Sequence, residues 1–150
     1  MVEIRRAAPD DAERVVQAIR PIDAQEIRAL GYTDLTQALR TGIATSAVCW
    51  CADDADGAVA VFGVAPHGPL LSEIGVPWLI GTTRMRAHRR SLARLAQPYI
   101  RRMHDLYPAL FNAALADNVA TLAWLQRVGF TLREPVTHNG HRFVPFLMER

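Results

Sequence analysis

The sequence contains no lysine, because all 17 of its basic residues are arginine. Catalysis through a lysine amine is therefore excluded. Cysteine is nearly as scarce, with only Cys49 and Cys51 in the 150 residues. A disulfide between such close neighbours in a strand has poor geometry, and a metal site would need more ligands nearby. We therefore predict two buried structural thiols.

Long apolar runs are also missing, since none approaches the roughly 20 residues that cross a bilayer. Residues 1–11 lack the apolar core of a signal peptide,. No motif with metal-binding spacing is present. We therefore expect a protein without a membrane segment that acts in the cytosol. Half of the residues are apolar, and this length predicts a single domain over residues 1–150.

Charge is unevenly distributed along the chain. Residues 1–83 hold 6 arginines and 11 acids, a net charge of −5, whereas residues 84–150 hold 11 arginines and 4 acids, a net charge of +7. Residues 84–102 carry seven arginines and no acid. Such a segment can meet phosphate. Nucleic acid is disfavoured as a partner for two reasons. The whole chain has a net charge of only +2, and no interleaving of aromatic residues with the arginines supports base stacking,.

The apolar periodicity predicts a mixed succession of strands and helices. Pro98 lies inside a helical pattern and should kink or break that helix. Asn112 is polar within an apolar strand, and we expect it to satisfy backbone groups where strands diverge. The predicted strands span 2–7, 46–53, 58–66, 74–82, 108–115, 130–136 and 142–149. The predicted helices span 9–20, 22–32, 34–42, 88–107 and 118–129. In condensed form the order is β-α-α-β-β-β-α-β-α-β-β.

The segment NVATLAWLQRVGF, residues 118–130, joins an Asn cap to a helix that ends in Gly-Phe. Asn118 can cap the helix, Gly129 can take the positive φ that ends it, and Phe130 returns to the core. This segment and the element order together resemble the GNAT fold of the Gcn5-related N-acetyltransferases. The resemblance implies an α/β (α+β) fold with a central, mixed, mostly antiparallel sheet of six to seven strands flanked by about four helices.

The stretch GTTRMRAHRRSLA, residues 81–93, lies where GNAT enzymes bind the pyrophosphate of acetyl-CoA. In the family, a glycine-rich loop points backbone N–H groups at the phosphates. Here no glycine follows Gly81, and arginines, which are forked phosphate donors, fill the loop,. The resemblance therefore implies acetyl-CoA as cofactor with a degenerate pyrophosphate loop, and the alternative is a solvated basic face. The candidate cofactor-binding residues are Gly81, Thr82, Thr83, Arg84, Arg86, Arg89, Arg90 and Asn118.

Two further positions bear on catalysis. Many GNAT enzymes place a tyrosine before Gly-Phe that protonates the departing thiolate, and Leu125 stands there in this sequence. Leucine cannot donate a proton. Glu73 precedes the fourth strand and is the candidate catalytic base, because a carboxylate there can deprotonate an amine directly or through water. Its alternative role is a residue of a surface turn.

A narrower resemblance involves the stretches VPWLIGT, HRRSL and GHRFVPFLM. These are similar to a group of phage proteins described as acetyltransferase-like or as internal virion protein A. The first functional hypothesis is therefore an acyl-CoA-dependent N-acetyltransferase-like protein of phage or prophage type, with an amine substrate, in the host cytoplasm. The second is a non-catalytic GNAT-fold protein that acts in virion structure or morphogenesis beside a virion or assembly partner. The sequence does not predict an oligomeric state.

Overall fold

The computed structural model describes residues 1–69 and 71–150. The strands are β1 Glu3–Arg6, β2 Val48–Asp54, β3 Gly57–Pro66, β4 Ile74–Gly81, β5 Ala109–Leu115, β6 Thr131–Leu132, β7 Val136–His138 and β8 His141–Glu149. The helices are α1 Asp11–Val16, α2 Pro21–Ala29, α3 Leu35–Thr45, α4 Arg89–Leu106 and α5 Val119–Val128, and a 3-10 helix spans Thr83–His88.

The strands form one sheet in the order β1-β2-β3-β4-β5-β8-β6, with β7 also paired to β8. Only β4 and β5 are parallel among the pairs of the described strands. The expected α+β class with a mixed, mostly antiparallel sheet is confirmed. The described residues form eight strands and five α-helices. Three of these helices lie between β1 and β2, where the condensed order had two.

One local expectation needs correction, and of the kink or break expected at Pro98 the break does not occur. The strand expected over 130–136 is divided into β6 and β7, and Pro135, which lacks an N–H donor, lies in the gap between them,. Helix α4 continues through Pro98 without a break. The side chains of Pro98 and Arg94 are both exposed, so water can reach the Arg94 carbonyl that loses its helical partner.

Helices cover the two faces of the sheet in separate groups. On one face, Trp50, Val64 and Phe146 pack in a cluster with Ile100 of α4 and Leu125 of α5. We call this the α4–α5 face and the opposite one the α1–α3 face.

On the α1–α3 face, Cys49 and Cys51 pack in a cluster with Val15 of α1 and Leu39 of α3. Both cysteines are free and buried, which confirms the expected structural thiols. Burial raises the pKa of each thiol to about 12. Neither is therefore a ready nucleophile at neutral pH.

Strands β4 and β5 pair only at their beginnings. The register joins Ile74 to Ala109 and Gly75 to Leu110, and no further β4–β5 pairs follow. Both strands nevertheless continue, to Gly81 and Leu115 respectively. The sheet therefore opens into a wedge-shaped gap between the second halves of these two strands.

The start of the wedge depends on a glycine, which gives a first prediction. A Cβ atom on Gly75 would lie 2.5 Å from Tyr107 Cδ2 and 2.7 Å from Val64 Cγ2. We expect Gly75→Ala to lower the free energy of unfolding by about 1–3 kcal/mol through overpacking. The matched control is Gly42→Ala in α3, where the nearest atom lies 3.7 Å away. That change should stabilise the helix by about 0.5–1 kcal/mol. Urea denaturation of both variants measures the difference.

Candidate functional site

An asparagine bridges the strands where they separate. Asn112 Nδ2 donates to the Pro77 carbonyl oxygen at 2.7 Å, and Asn112 Oδ1 accepts from the Ala113 N–H at 2.8 Å. Pro77 belongs to β4 and Ala113 to β5. The expectation that Asn112 satisfies diverging backbone groups is confirmed. These bonds occupy the narrow end of the wedge and leave its wider end open.

Helix α2 lies across the wide end and contacts both strands. The Arg20 N–H donates to the Gly81 carbonyl at 2.9 Å, and the Gly81 N–H donates to Asp23 Oδ2 at 2.8 Å. On the other side, the Leu115 N–H donates to Glu26 Oε1 at 2.6 Å. The Arg20 backbone and the Asp23 and Glu26 side chains thus bond backbone groups at the ends of β4 and β5, and Glu26 is held in the wedge.

One backbone segment on the β4 edge points into the gap. The Thr82 N–H donates to the Val59 carbonyl of β3 at 2.9 Å. Backbone N–H and carbonyl groups alternate sides along a strand. Because Thr82 bonds to β3, residues an odd number of positions before it in β4 direct these groups away from β3. The register of β3 with β4 therefore directs the N–H and carbonyl of Leu79 away from β3, toward the gap. Leu79 supplies an available donor and acceptor at the centre of the wedge.

A cavity of about 1020 Å³ passes through the sheet at the wedge. It is lined from the α1–α3 face by Ile22, Glu26 and Leu30 of α2, and from the α4–α5 face by side chains of α4 and α5. The lining is largely apolar, which is typical of a small-molecule site with a few polar anchors. The residues of α4 and α5 that line it are Arg89, Leu92, Leu95, Ala96, Tyr99, Ile100, Met103, Ala120, Thr121, Ala123, Trp124, Leu125 and Arg127.

Glu26 is the one carboxylate that lines this cavity among the described residues. Its pKa is raised to about 7, mainly by burial and in part by the nearby Asp23 carboxylate, while the Leu115 N–H and the Arg20 charge oppose the shift. Asp23 is itself paired with Arg20 at 2.7 Å. Glu26 therefore exchanges a proton near neutral pH, as a general base requires.

The predicted phosphate loop uses its own backbone donors. The Thr83 N–H donates to the Ala18 carbonyl at 2.9 Å. The N–H groups of Arg84 and Met85 donate to the Thr82 side chain and carbonyl, at 3.3 and 3.0 Å. The Thr82 hydroxyl is buried and donates to the Ala58 carbonyl at 2.7 Å. Thr82 thus caps the 3-10 helix.

The predicted arginines separate into two groups. Arg84 pairs with Asp54 at 2.7 Å, and His88 Nε2 lies 2.9 Å from the same carboxylate. The Arg84 guanidinium holds the pKa of Asp54 well below its usual range. Arg86 and Arg89 line the cavity, and no ion pair among the described residues involves either.

The remaining candidates occupy different places. Arg90 is exposed and is not part of the cavity lining. Asn118 is 3% exposed and caps α5, where its Oδ1 accepts from the Thr121 N–H at 3.4 Å. Its Nδ2 is buried and has no partner among the described residues. Leu125 is buried in the cavity wall. Glu73 is exposed beside the paired end of β4 and β5, outside the lining.

Sequence reasoning missed Glu26, although a signal was present. Ile22, Glu26 and Leu30 recur at a spacing of four residues, so the carboxylate interrupts an apolar helical stripe,. A charged residue at such a position needs a partner or a function. The structure supplies both an N–H partner, from Leu115, and a position inside the cavity.

The described residues offer neither a metal site nor a membrane-spanning helix. They contain no group of three or more His, Cys, Asp and Glu side chains that could hold a metal ion. None of the helices that the structure describes is long and apolar enough to cross a membrane.

Comparisons with known proteins identify the architecture. No known family model and no curated protein matches the sequence. Solved structures do match along nearly the whole chain. The GCN5-related N-acetyltransferase from Kribbella flavida is 18% identical with a TM-score of 0.70, and the alignment covers 99% of this chain and 98% of that one.

Two further structures give the same result. A GNAT-family acetyltransferase from Streptococcus pneumoniae is 15% identical with a TM-score of 0.67, and all of both chains is covered. A Bacillus subtilis acetyltransferase in complex with CoA is 12% identical with a TM-score of 0.65, and 99% of this chain and 97% of that chain are covered. Identities this low show the fold alone. The chain therefore has the GNAT acetyltransferase fold.

Proposed function

We propose that this protein is an acyl-CoA-dependent N-acyltransferase that uses acetyl-CoA and a primary amine. The observation that carries the proposal is Glu26, held inside a cavity that crosses the sheet between β4 and β5. A cavity open to both faces lets two reactants meet from opposite sides. The one carboxylate in the described lining, Glu26, lies between the two reactants, where it can accept a proton from an amine. Several structural neighbours are acetyltransferases, one of them in complex with CoA.

The residues present fit acetyl-CoA. Arg86 and Arg89 place two guanidinium groups on the cavity wall at the start of α4, where they can hold phosphate. Asn118, by contrast, caps α5 and is not part of the cavity lining, so it is not assigned to the cofactor. Acetyl-CoA, when bound, supplies an activated thioester carbonyl.

Phosphate binding in this proposal uses side chains in place of backbone. The first N–H groups of the 3-10 helix are already bonded within the protein, at Thr83, Arg84 and Met85. A backbone cradle of the usual glycine-rich type is therefore occupied here. Arg86 and Arg89 replace it, whereas Arg84 is committed to Asp54. Arg86 and Arg89 are thus the two cofactor ligands among the seven arginines between residues 84 and 102.

Glu26, in place of Glu73, acts as the base. An alkyl ammonium ion cannot attack a carbonyl, and its ordinary pKa of about 10 keeps it protonated at neutral pH. Above pH 7 the Glu26 carboxylate is ionised and accepts that proton, directly or through water. The Leu79 N–H is the backbone donor that faces the gap and can stabilise negative charge on the acyl oxygen. With acetyl-CoA bound, the neutral amine would form the new C–N bond as the C–S bond breaks, and the second proton lost by the nitrogen would pass to the departing thiolate, directly or through water.

A leucine at position 125 is compatible with this chemistry. A thiol has an ordinary pKa of about 8.5, so a thiolate leaves without an obligatory proton donor. Leu125 instead contributes to the apolar wall of the cavity. The absence of a tyrosine there should slow the leaving-group step without preventing it.

Incubation of the purified protein with acetyl-CoA and a panel of primary amines tests the proposal. We expect an N-acetylated amine, detected by mass spectrometry, and one free CoA thiol for each acetyl group transferred. Thiol release without an acetylated amine would indicate hydrolysis and contradict the proposal.

A non-catalytic role is the second candidate. The occupied backbone donors at Thr83, Arg84 and Met85 favour it, as does Leu125. In that case the fold serves as a scaffold, as the resemblance to phage virion proteins suggests. The phage origin and a virion partner remain predictions. Neither acetyl-CoA binding nor transfer would then be detected in the assay above.

A further inference from the structure

Apolar side chains continue from the cavity along the α1–α3 face of the sheet. Side chains alternate between faces, and the β4–β5 register places Ile74 and Val76 of β4 on the same face as Phe111 and Ala113 of β5. Ala113 packs with the cluster that includes Ala29 of α2 and Leu115, which identifies this as the α1–α3 face. Phe111 remains 41% exposed and Ile74 37% exposed.

This apolar strip leads to the cavity opening that contains Glu26. Trp78, two residues beyond Val76 on β4, lines the cavity from the same face. Its indole N–H is already donated to Ser46 Oγ at 2.7 Å. The indole therefore offers its apolar ring to a ligand. Ile22 and Leu30 of α2 complete the wall on either side of Glu26.

A single negative charge at the opening disfavours a second cation on the ligand. Glu26 is the one carboxylate in the described lining. On the same side Arg20 also lines the cavity, and it is neutralised by Asp23. A polyamine or a basic peptide would have one partner for several charges and would lose hydration at the others.

We propose that the acceptor is a primary amine on an apolar body, an arylalkylamine or a longer alkylamine, with its amine at Glu26 and its body along Trp78 and Leu30, which line the cavity. The proposal rests on the proposed acyltransferase function and names the class of amine that the same site accepts. Burial of one aromatic ring contributes about 2 kcal/mol or more, and this gain is absent for an acceptor that is polar throughout.

An acceptor comparison tests this assignment at saturating acetyl-CoA. We expect kcat/KM for 2-phenylethylamine and hexylamine to exceed that for spermidine and for a lysine-containing peptide by about tenfold or more, the scale of discrimination that an apolar pocket provides. Equal or higher kcat/KM for spermidine or the peptide would overturn the assignment while leaving the acyltransferase proposal intact. Acetylation of no amine at all would overturn both.

A polar residue placed on the cavity wall provides a second test. Leu30→Asn should raise KM for 2-phenylethylamine about tenfold with kcat and acetyl-CoA binding unchanged, because Leu30 lines the cavity beside Glu26 and contacts the body of the amine and not the reacting atoms. Leu106→Asn is the matched control, since Leu106 is 51% exposed at the end of α4 and Leu30 is 45% exposed. Circular dichroism confirms that both variants are folded. An unchanged KM in Leu30→Asn would contradict the proposed path of the acceptor.

Discussion

Replacement of Glu26 by glutamine should lower kcat for amine acetylation by about 10²- to 10⁴-fold at pH 8, the usual contribution of a general base. Glutamine cannot take a proton, but its side-chain oxygen can still accept the Leu115 N–H that Glu26 accepts at 2.6 Å. The link between α2 and β5 is therefore kept. Activity of the wild type should fall as the pH drops below about 7, and the variant should lack this dependence.

The matched control is Glu73→Gln, since Glu73 is exposed outside the cavity. It should retain activity within about twofold, as surface substitutions usually do. Loss of activity in Glu73→Gln with retention in Glu26→Gln would show that the base lies at the start of β4 and would contradict our assignment.

Stability provides an independent check on the same residue. The pKa of Glu26 is raised from its ordinary 4.5 to about 7 in the folded protein. Ionisation is therefore disfavoured by folding, so the stabilisation present below pH 4.5 is lost as the pH rises through 7. Glu26→Gln should consequently be more stable than the wild type at pH 8, by about 2–3 kcal/mol, and show no such gain at pH 4. Thermal unfolding at the two pH values measures this, and a loss of stability at pH 8 would contradict it.

Removal of the two cavity arginines should have the second largest effect. We expect Arg86→Ala/Arg89→Ala to raise the Kd for acetyl-CoA by about a hundredfold or more, because each charge-assisted bond to phosphate contributes about 1.5–3 kcal/mol. The affinity for CoA should fall equally, and the affinity for an amine should change little. Isothermal titration calorimetry at constant salt measures both cofactor affinities.

The control removes the same number of charges from helix α4, which also carries Arg89. Arg94 and Arg101 are exposed on α4 and do not line the cavity. Arg94→Ala/Arg101→Ala should therefore change the Kd less than threefold. Any small change would come from the loss of screened long-range attraction. If both pairs weaken binding equally, the arginines act as a diffuse basic field and not as a phosphate site.

Much of the fold could be predicted from the sequence, because its signals are local. Gly129 ends α5 with a φ of 116°, and the Asn139–Gly140 turn has φ values of 51° and 75°, which are the positive values that such turns need. The apolar strands and capped helices follow from periodicity in the same way. Pro135 divided a predicted strand because its missing N–H outweighed the surrounding apolar pattern.

The candidate site was less accessible to prediction, because it depends on long-range contacts. Arg84 matched the chemistry of a phosphate ligand, but Asp54, thirty residues earlier, takes up its charge. Glu26 and Leu115 are separated by 89 positions, and only the folded sheet brings them together. A raised pKa depends on burial and neighbours, neither of which is visible in a linear sequence.

The most direct test of the central claim is an NMR titration of the isotopically labelled protein with CoA, which binds without reacting. If the cavity between β4 and β5 holds the cofactor, the Leu79 backbone amide should shift at saturation together with the Arg86 and Arg89 signals, since all three residues line the cavity. Shifts confined to exposed arginines such as Arg94 and Arg101, or no shifts at millimolar CoA, would contradict the assignment of this cavity as an acyl-CoA site.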